Sequence, residues 1–365
     1  YMSVKQKGNS DNESANASMS VRTGRECFRA LSMPEAVTLA SGVYRVRASV
    51  PSRSKATADM VQTDEAFWTI FSFHFLSGEA FTKADCDAGL TRAVLDATTA
   101  RRLFGTTDAV GRTVQLDYVD YTVAGVVADV SMLATAAYAQ IWVPYTAAGA
   151  EAMSWQNDTM GPMHAIILAR SSADFDAIRE ETELLRKKYN DGLQDVEVFY
   201  RGQPDTQLAY LYRRWYAEPD VPGVMLRYAI VVIILLLVPA VNLSGMTLSR
   251  MRRRMAEIGV RKAFGATGGE LMRQVFFENL VLTLLAGIVG LALSYVATFA
   301  LNGFLFSNSM NASLSGETAL TPGMLLSPWA FIAAFAFCLL MNILSAGIPA
   351  WRASRMNITD AINQR

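Results

Sequence analysis

Three long apolar runs in the second half of the chain restrict its folds more than any other feature. AIVVIILLLVPAVNLSGMTL (229–248) carries no charge, Phe276 to Phe306 contains only Glu278, and Trp329 to Trp351 lies in an uncharged stretch that begins at Thr318. A helix needs roughly 20 apolar residues to cross the hydrocarbon of a bilayer, so each run is long enough to span one. A helix in a globular core rarely stays free of charge for that length, because one side of it usually meets solvent. Spans are therefore expected at about 228–249, 270–302 and 329–351 of the 365 residues.

Hydrophobic residues make up 52% of the chain and charged ones 18%, but the average hides a division. Residues 1–222 hold nearly all the acidic groups and read as a water-facing fold. The 33 basic and 33 acidic residues balance, which leaves no overall field to recruit nucleic acid.

Loop charges set the orientation. Arg250, Arg252, Arg253, Arg254, Arg261, Lys262 and Arg273 stand against Glu257 and Glu270 between the first two spans. The loop Gly303–Pro328 has no Lys or Arg and one acid, Glu317, while the tail carries Arg352, Arg355 and Arg365. Cytoplasmic loops concentrate Lys and Arg, so the loop 250–269 and the tail 352–365 are expected inside and residues 1–222 outside. Tyr210, Tyr212, Trp215 and Tyr216 suit an interfacial aromatic belt, with Arg227 reaching back to the headgroups. An outer domain needs a helix ahead of it, and the polar opening YMSVKQKGNSDNESANASMS has no apolar stretch. A first transmembrane helix is therefore expected before residue 1, giving four spans and two inner termini.

The outer region reads as α+β. VYRVRASV (43–50), IWVPY (141–145), MHAIILAR (163–170) and VEVFYR (196–201) pattern as strands. Asp64 to Phe73 is expected to start a helix with Phe67, Trp68 and Phe71 on one face. LDATTARRLFG (95–105) predicts a helix capped by Asp96 and closed by Gly105. RTVQLDYVDYTVAGVVADV (112–130) alternates on both sides of Val119–Asp120, a hairpin pattern. SADFDAIREETELLRKKYN (172–190) predicts an amphipathic helix with Phe175, Ile178, Leu184 and Leu185 inward. Two βαβ-like halves fit this order. NSDNESANAS, within residues 1–30, is expected to be flexible, and 31–222 to form the outer domain.

Catalytic constellations are missing from the sequence. His74 and His164 are the two histidines, each within an apolar run, and structural roles are expected for both. H-E-x-x-H, G-x-S-x-G and C-x-x-C do not occur, which removes the minimum parts of zinc protease, serine hydrolase and thiol redox chemistry. Cys27 and Cys86 are candidates for one disulfide, while Cys338 lies in a span. Glu79, Asp85 and Asp87 lack calcium-loop spacing and read as a solvated face. Gly-Lys never occurs, so the chain has no P-loop of its own.

The basic segment RMRRRMAEIGVRKAFGAT (250–267) places Met251, Met255 and Ile258 on one stripe and the arginines on the other faces. Such a helix lies on acidic headgroups or docks on a partner, and the residues alone leave both open. Gly265 ends it. Thr267 and Glu270 form a T-x-x-E capping box that starts the next helix at about Gly268.

AEIGVRKAFGATGGELMRQVFFENLVLTLLAGIVG (256–290) resembles the FtsX/MacB-like permease subunits of ABC transporters, whose first cytoplasmic loop reads R-x-x-E-I-G-[IV]-R-[KR]-A-L-G-A. Arg254, Glu257, Ile258, Gly259, Val260, Arg261, Lys262, Ala263, Gly265 and Ala266 match, as does Glu278, and Phe264 replaces the usual Leu. GIPAWRASRMNITDAI (347–362) resembles the closing motif of the family, with Ile358 in place of Pro. LTRAVLDATTARRLFGTTDAVGRTVQLDYVDYTVAGVVADV (90–130) is similar to the MacB-type periplasmic core, with its A-x-x-L-F-G and V-x-G-V-V-x-D patterns.

The resemblance implies a MacB-like outer core over 31–222 and an FtsX-like transmembrane domain over 223–365, in the bacterial inner membrane. It implies a dimer with a second permease subunit, bound to two ATPase subunits that carry the ATP and Mg; this chain itself would hold no cofactor. Arg254, Glu257, Ile258, Gly259, Val260, Arg261, Lys262, Phe264 and Gly265 would then form a coupling helix that passes ATPase closure to the outer domain, for export, extraction or mechanotransmission. Membrane lipids and a periplasmic adaptor, lipoprotein or hydrolase are further implied partners. The alternative within the same resemblance is an FtsX-like regulator that activates cell-wall hydrolases, and the size of the outer domain favours the MacB or LolC type. A membrane-embedded enzyme lacks its parts.

The spans carry matching features. Ala286, Gly290, Ser294 and Thr298 recur every four residues and line one face with small groups, a close-packing surface in lipid. Pro239 is expected to loosen the first span, with Asn242 and Ser244 available to neighbours. Glu278 would be costly unpaired in the bilayer, so a partner among the arginines of 250–262 or a place at the inner interface is expected.

Overall fold

The computed structural model describes residues 2–51, 54–132, 134–213, 217–253, 260–261, 264–300, 329 and 331–341. They divide into two compact units, one ending at Val221 and one beginning at Pro222. In the first unit the strands are β1 (Met2–Gln6), β2 (Ala15–Ala17), β3 (Ala36–Ser41), β4 (Tyr44–Val50), β5 (Ser54–Thr63), β6 (Phe75–Gly78), β7 (Arg92–Asp96), β8 (Thr113–Leu116), β9 (Val119–Val127), β10 (Ile141–Pro144), β11 (Met163–Leu168) and β12 (Val196–Phe199). Its helices are α1 (Val21–Gly24), α2 (Phe67–Ile70), α3 (Lys83–Asp87), α4 (Ala97–Phe104), α5 (Phe175–Asp191) and α6 (Gln207–Tyr212).

Seven strands form one mixed sheet in the order β6-β9-β7-β10-β5-β4-β8, and β8 also pairs with β9, so six of them close on themselves. Closure leaves those strands no free edge. Val46, Leu95, Val114, Val123, Val126 and Ile141 fill the interior, with Leu103 and Phe104 of α4 packed against it. α4 forms as its caps require. The Asp96 carboxylate accepts the Thr99 N–H at 2.7 Å, and Gly105 stops the helix in the left-handed region at φ 75°.

A second core joins β12-β1-β2 and the β11-β3 pair to α1, α5 and the π-helical turn Arg25–Arg29. It buries Met2, Val4, Val21, Cys27, Phe28, Met163 and Val198. Residues 1–30 therefore differ from the flexible segment expected. NSDNESANAS supplies β2, and Lys5 holds Asp11 at 2.7 Å and Glu197 at 2.9 Å, which offsets its polarity by pairing.

Three other expectations shift. The β8–β9 turn falls on Asp117 and Tyr118, both at positive φ (42° and 73°), two residues before Val119–Asp120. Asp117 tolerates that conformation and its carboxylate accepts the Arg47 N–H at 2.9 Å, which anchors the turn to β4. The Asp64–Phe73 helix shrinks to one turn, after which Phe71 is extended. The extended chain lets Phe73 and Phe75 reach the ring cluster of Phe67, Trp68, Phe81 and Trp142. On α5, Ile178, Thr182 and Tyr189 are buried and Leu185 is half-buried, while Phe175 in the first turn and Leu184 are exposed (37% and 66%), because the buried stripe follows the 3.6-residue period through 178, 182 and 189.

Cys27 and Cys86 are free thiols in separate clusters, so the candidate disulfide is absent. Burial pushes their pKa values up to about 11 and about 12. His164 is held neutral, pushed down to about 4 by burial, with Ser18 Oγ 3.1 Å from its Nε2. His74 is exposed, and it is its carbonyl that works, accepting the Ala128 N–H at 2.8 Å. Asp85 caps α3 through a box with Thr82.

The second unit contains α7 (Val221–Arg253) and α8 (Gly268–Ala300), 33 residues each. At 1.5 Å per residue each is about 50 Å long, more than a hydrocarbon core requires. Among the described residues, Leu280–Ala297 is long and apolar enough to cross a membrane; Val221–Leu235 and Phe331–Met341 are shorter apolar helices. The side chains of Pro239, Asn242 and Ser244, and the loop 303–328 and tail 352–365, lie outside what is described.

Candidate functional site

Between α7 and α8 the described residues 260–261 and 264–270 are held by a set of backbone and capping hydrogen bonds. Val260 and Arg261 are helical; the Phe264 N–H donates to the Val260 carbonyl at 3.1 Å and the Ala266 N–H to the Arg261 carbonyl at 3.0 Å. Gly265 turns the chain at φ 94°, a conformation that other residues rarely adopt. Two residues later the Thr267 N–H and Oγ1 donate to Glu270 Oε2 at 2.9 and 3.0 Å, and the Glu270 N–H returns to Thr267 Oγ1 at 3.3 Å. The turn is thus fixed at both ends, by a left-handed glycine and by a closed capping box.

What the turn presents is a single aromatic ring. Phe264 is 89% exposed. Beside it an open hollow of about 410 Å³ is lined by Arg261, Phe264, Gly265, Ala266, Glu270 and Gln274. Arg261 is held there by Gln274, with Nη1 to Oε1 at 2.8 Å. An exposed ring flanked by one cation and one carboxylate suits protein recognition, in which aromatic and Arg side chains dominate. Among the described residues no group of three or more His, Cys, Asp or Glu could hold a metal.

The structure brings Val260, Arg261, Phe264, Gly265, Thr267 and Glu270 to this one turn. Arg254, Glu257, Ile258, Gly259 and Lys262 lie outside the described residues. Gln274, unremarkable in sequence, joins the site because it sits one helical turn beyond Glu270. Glu278 is half-buried and engaged on α8. Ala286, Gly290 and Ser294 face outward, and the α8 face covered by protein runs instead through Thr283 and Gly287, where the Phe335 ring would stand 3.4 Å from an added Cβ. The Thr298 side chain is not among those described.

An α+β unit followed by two 33-residue helices, one of them with a stretch long and apolar enough to cross a membrane, is the architecture of a membrane protein with a folded domain beside its helices. Residues 2–185 match the MacB-like periplasmic core domain and residues 229–358 the FtsX-like permease C-terminal domain. The chain belongs to the MacB/FtsX-like ABC transporter permease family, whose proteins sit in the inner membrane with periplasmic domains. It is 26% identical over 307 residues to the macrolide export ATP-binding/permease protein MacB of Chromobacterium violaceum, covering 84% of this chain and 43% of that protein. The same figures of 26%, 84% and 43% hold over 314 residues for MacB of Escherichia coli (strain K12). The chain thus spans less than half the length of the curated relatives it matches. Among solved structures, the periplasmic region of MacB from Actinobacillus actinomycetemcomitans aligns with 54% of this chain and 87% of that one, at 18% identity and a TM-score of 0.39. The extracellular domain of the transporter YknZ from Gram-positive bacteria aligns with 55% and 100%, at 16% identity and a TM-score of 0.38.

Proposed function

We propose that this chain is a non-catalytic permease subunit that docks an ATPase subunit through the Val260–Glu270 turn and converts ATP hydrolysis there into motion of its outer unit. The observation that carries the reading is Phe264, 89% exposed on a turn whose backbone Gly265 and the Thr267–Glu270 box hold fixed. A large ring kept in water on a rigid turn costs solvation free energy unless a partner covers it. ATP and Mg belong to the motor, outside residues 1–365, and the working assembly pairs two permease subunits with two ATPases.

The reading places residues 1–222 outside, the 250–269 turn and the tail inside, and three spans within residues 223–365. A cysteine in 303–328 should react with an impermeant reagent in intact cells; reaction only after lysis would overturn this topology. The docking itself is tested by Phe264→Ala with Arg261→Glu, which should reduce the ATPase recovered with the chain at least tenfold while membrane insertion is kept. Recovery at the unsubstituted level would leave the turn a lipid contact.

A further inference from the structure

One strand of the first unit has a side that its neighbours leave open. β11 pairs with β3 without a break, from Met163 opposite Ser41 to Leu168 opposite Ala36. Toward β3, the Pro162 and Leu168 carbonyls accept the Gly42 and Glu35 N–H groups at 3.4 and 2.8 Å. On the other side, the Met163 N–H and C=O exchange hydrogen bonds with Met19, each 2.9 Å long. Main-chain groups alternate in direction along an antiparallel strand, so Ala165 and Ile167 face the Met19 side as Met163 does. Leu39, opposite Ala165, agrees: its N–H goes to Asp64 Oδ2 at 3.0 Å.

Beyond the Met19–Met163 bridge this side is bare. The chain before Met19 turns to β1 instead, with Ala17 opposite Met2 and Ala15 opposite Val4. Among the described residues, none bonds to the N–H or C=O of Ala165 or Ile167 there. Folded proteins guard such edges with lysine, proline, a bulge or a cover. MHAIIL (163–168) contains neither Lys nor Pro, and its register with β3 does not shift.

Beside the edge lies an open hollow of about 50 Å³, whose walls include Ile167, Ala169, Phe175, Ile178, Arg179 and Thr206. That is roughly a third of a cavity that holds benzene, so it admits the end of one aliphatic side chain. The acids around it are engaged. Asp205 holds Arg213 with both oxygens, Asp174 accepts from the Ser171 N–H and Oγ, and Asp176 accepts from Arg179 Nη1 at 3.0 Å. Arg179 Nε donates to the Pro204 carbonyl at 3.2 Å, and its Nη2 has no hydrogen bond among the described residues. Arg170, exposed just past the strand, adds a second cation.

We propose that the free edge of β11 receives an extended peptide segment of a partner protein. The segment adds a strand along residues 165–169, sets one aliphatic side chain in the hollow and offers a carboxylate to Arg179 and Arg170. In strand addition the main-chain hydrogen bonds give affinity and the side-chain pockets give selectivity. A second copy of this chain fits less well, because β11 paired with itself brings no acid: residues 163–170 contain none. The inference does not rest on the ATP-driven reading of the α7–α8 turn.

The full chain in lipid nanodiscs would be titrated with a short fluorescent peptide that alternates valine and threonine and carries one leucine and one glutamate. Anisotropy should show saturable binding. Methylating one alternate set of the peptide's amide nitrogens should weaken it about tenfold, and methylating the other set should change it little, since one set faces β11. Ile167→Pro removes a donor from the free side and spares the pairing with β3, and should also weaken binding about tenfold. Arg179→Glu should weaken the glutamate peptide and leave its glutamine counterpart unchanged. Equal losses from both methylated sets, or no saturable binding, would overturn the proposal. So would binding unchanged by Ile167→Pro in a chain that melts as the parent does. A peptide displaced as the chain dimerises would assign the edge to a second copy and overturn the partner.

Discussion

The two units use the same apolar side chains under opposite conditions. In the outer unit Leu95 is fully buried; in the second unit Leu293 is 64% exposed, and so are most of its apolar neighbours on α8. Apolar surface left uncovered by protein in one unit and packed away in the other implies two solvents for one chain. The outer unit is held by its own cores, whereas the second relies on lipid to cover what protein does not. The lesson is that a long apolar helix says where a chain sits, while a fixed turn such as Phe264–Glu270 decides which side chains it presents.

The sharpest way to break this contrast is to remove equal chemistry from both units. Trp142→Ala, which empties the centre of the ring cluster, should destabilise the outer unit by about 3–5 kcal/mol in denaturant unfolding of the chain in detergent. Leu293→Ala, on lipid-facing α8, should change stability by less than about 1 kcal/mol by the same measurement, since no protein cavity is left. Equal effects at the two sites would deny the two-solvent account.

A smaller effect sharpens the description of the outer core. Burial pushes the Asp96 carboxyl up to about 6 from 3.8, while it also caps α4. Its folded-state pKa is raised, so its contribution is most favourable below about 4 and is lost as pH rises through 6. His164 has the opposite sign: depressed from 6.5 to about 4, it weakens the fold as pH falls through that window. Asp96→Asn keeps a good cap and removes the buried charge, so it should raise stability at pH 7–8 by on the order of 2 kcal/mol. It should also expose the His164 slope, making the variant more acid-sensitive than the parent between pH 6 and 4. Thermal melts across pH 4–8 read both. Smallest of all, Leu184→Asp on the exposed side of α5 should shift stability by no more than about 0.5 kcal/mol; a larger loss would mean that this face is covered.

Much of this was legible from local signals. Asp96 and Gly105 bracket α4, Thr267 and Glu270 box α8, and the apolar runs foretold both long helices, because caps and hydrophobic periods act within a few residues. The β8–β9 turn was misplaced by two residues because alternation marks strands but not which pair can turn at positive φ. The pairing of β1 with β12 and the closure of the sheet from β4 onto β8 depend on partners far apart in sequence, and no short pattern announces them. At the turn between α7 and α8 the same split holds: the Gly265 stop was readable, but the place of Gln274 was not, since it arises from a contact with Arg261 13 residues away.

The central claim, that the turn carrying Phe264 meets an ATPase inside the cell, is tested most directly by a photoreactive amino acid at position 264. On irradiation of native membranes the account predicts a covalent adduct with an ATP-binding protein of the cytoplasmic face, lost when Arg261 is changed to Glu. Adducts with lipid alone, unchanged by Arg261→Glu, would contradict it.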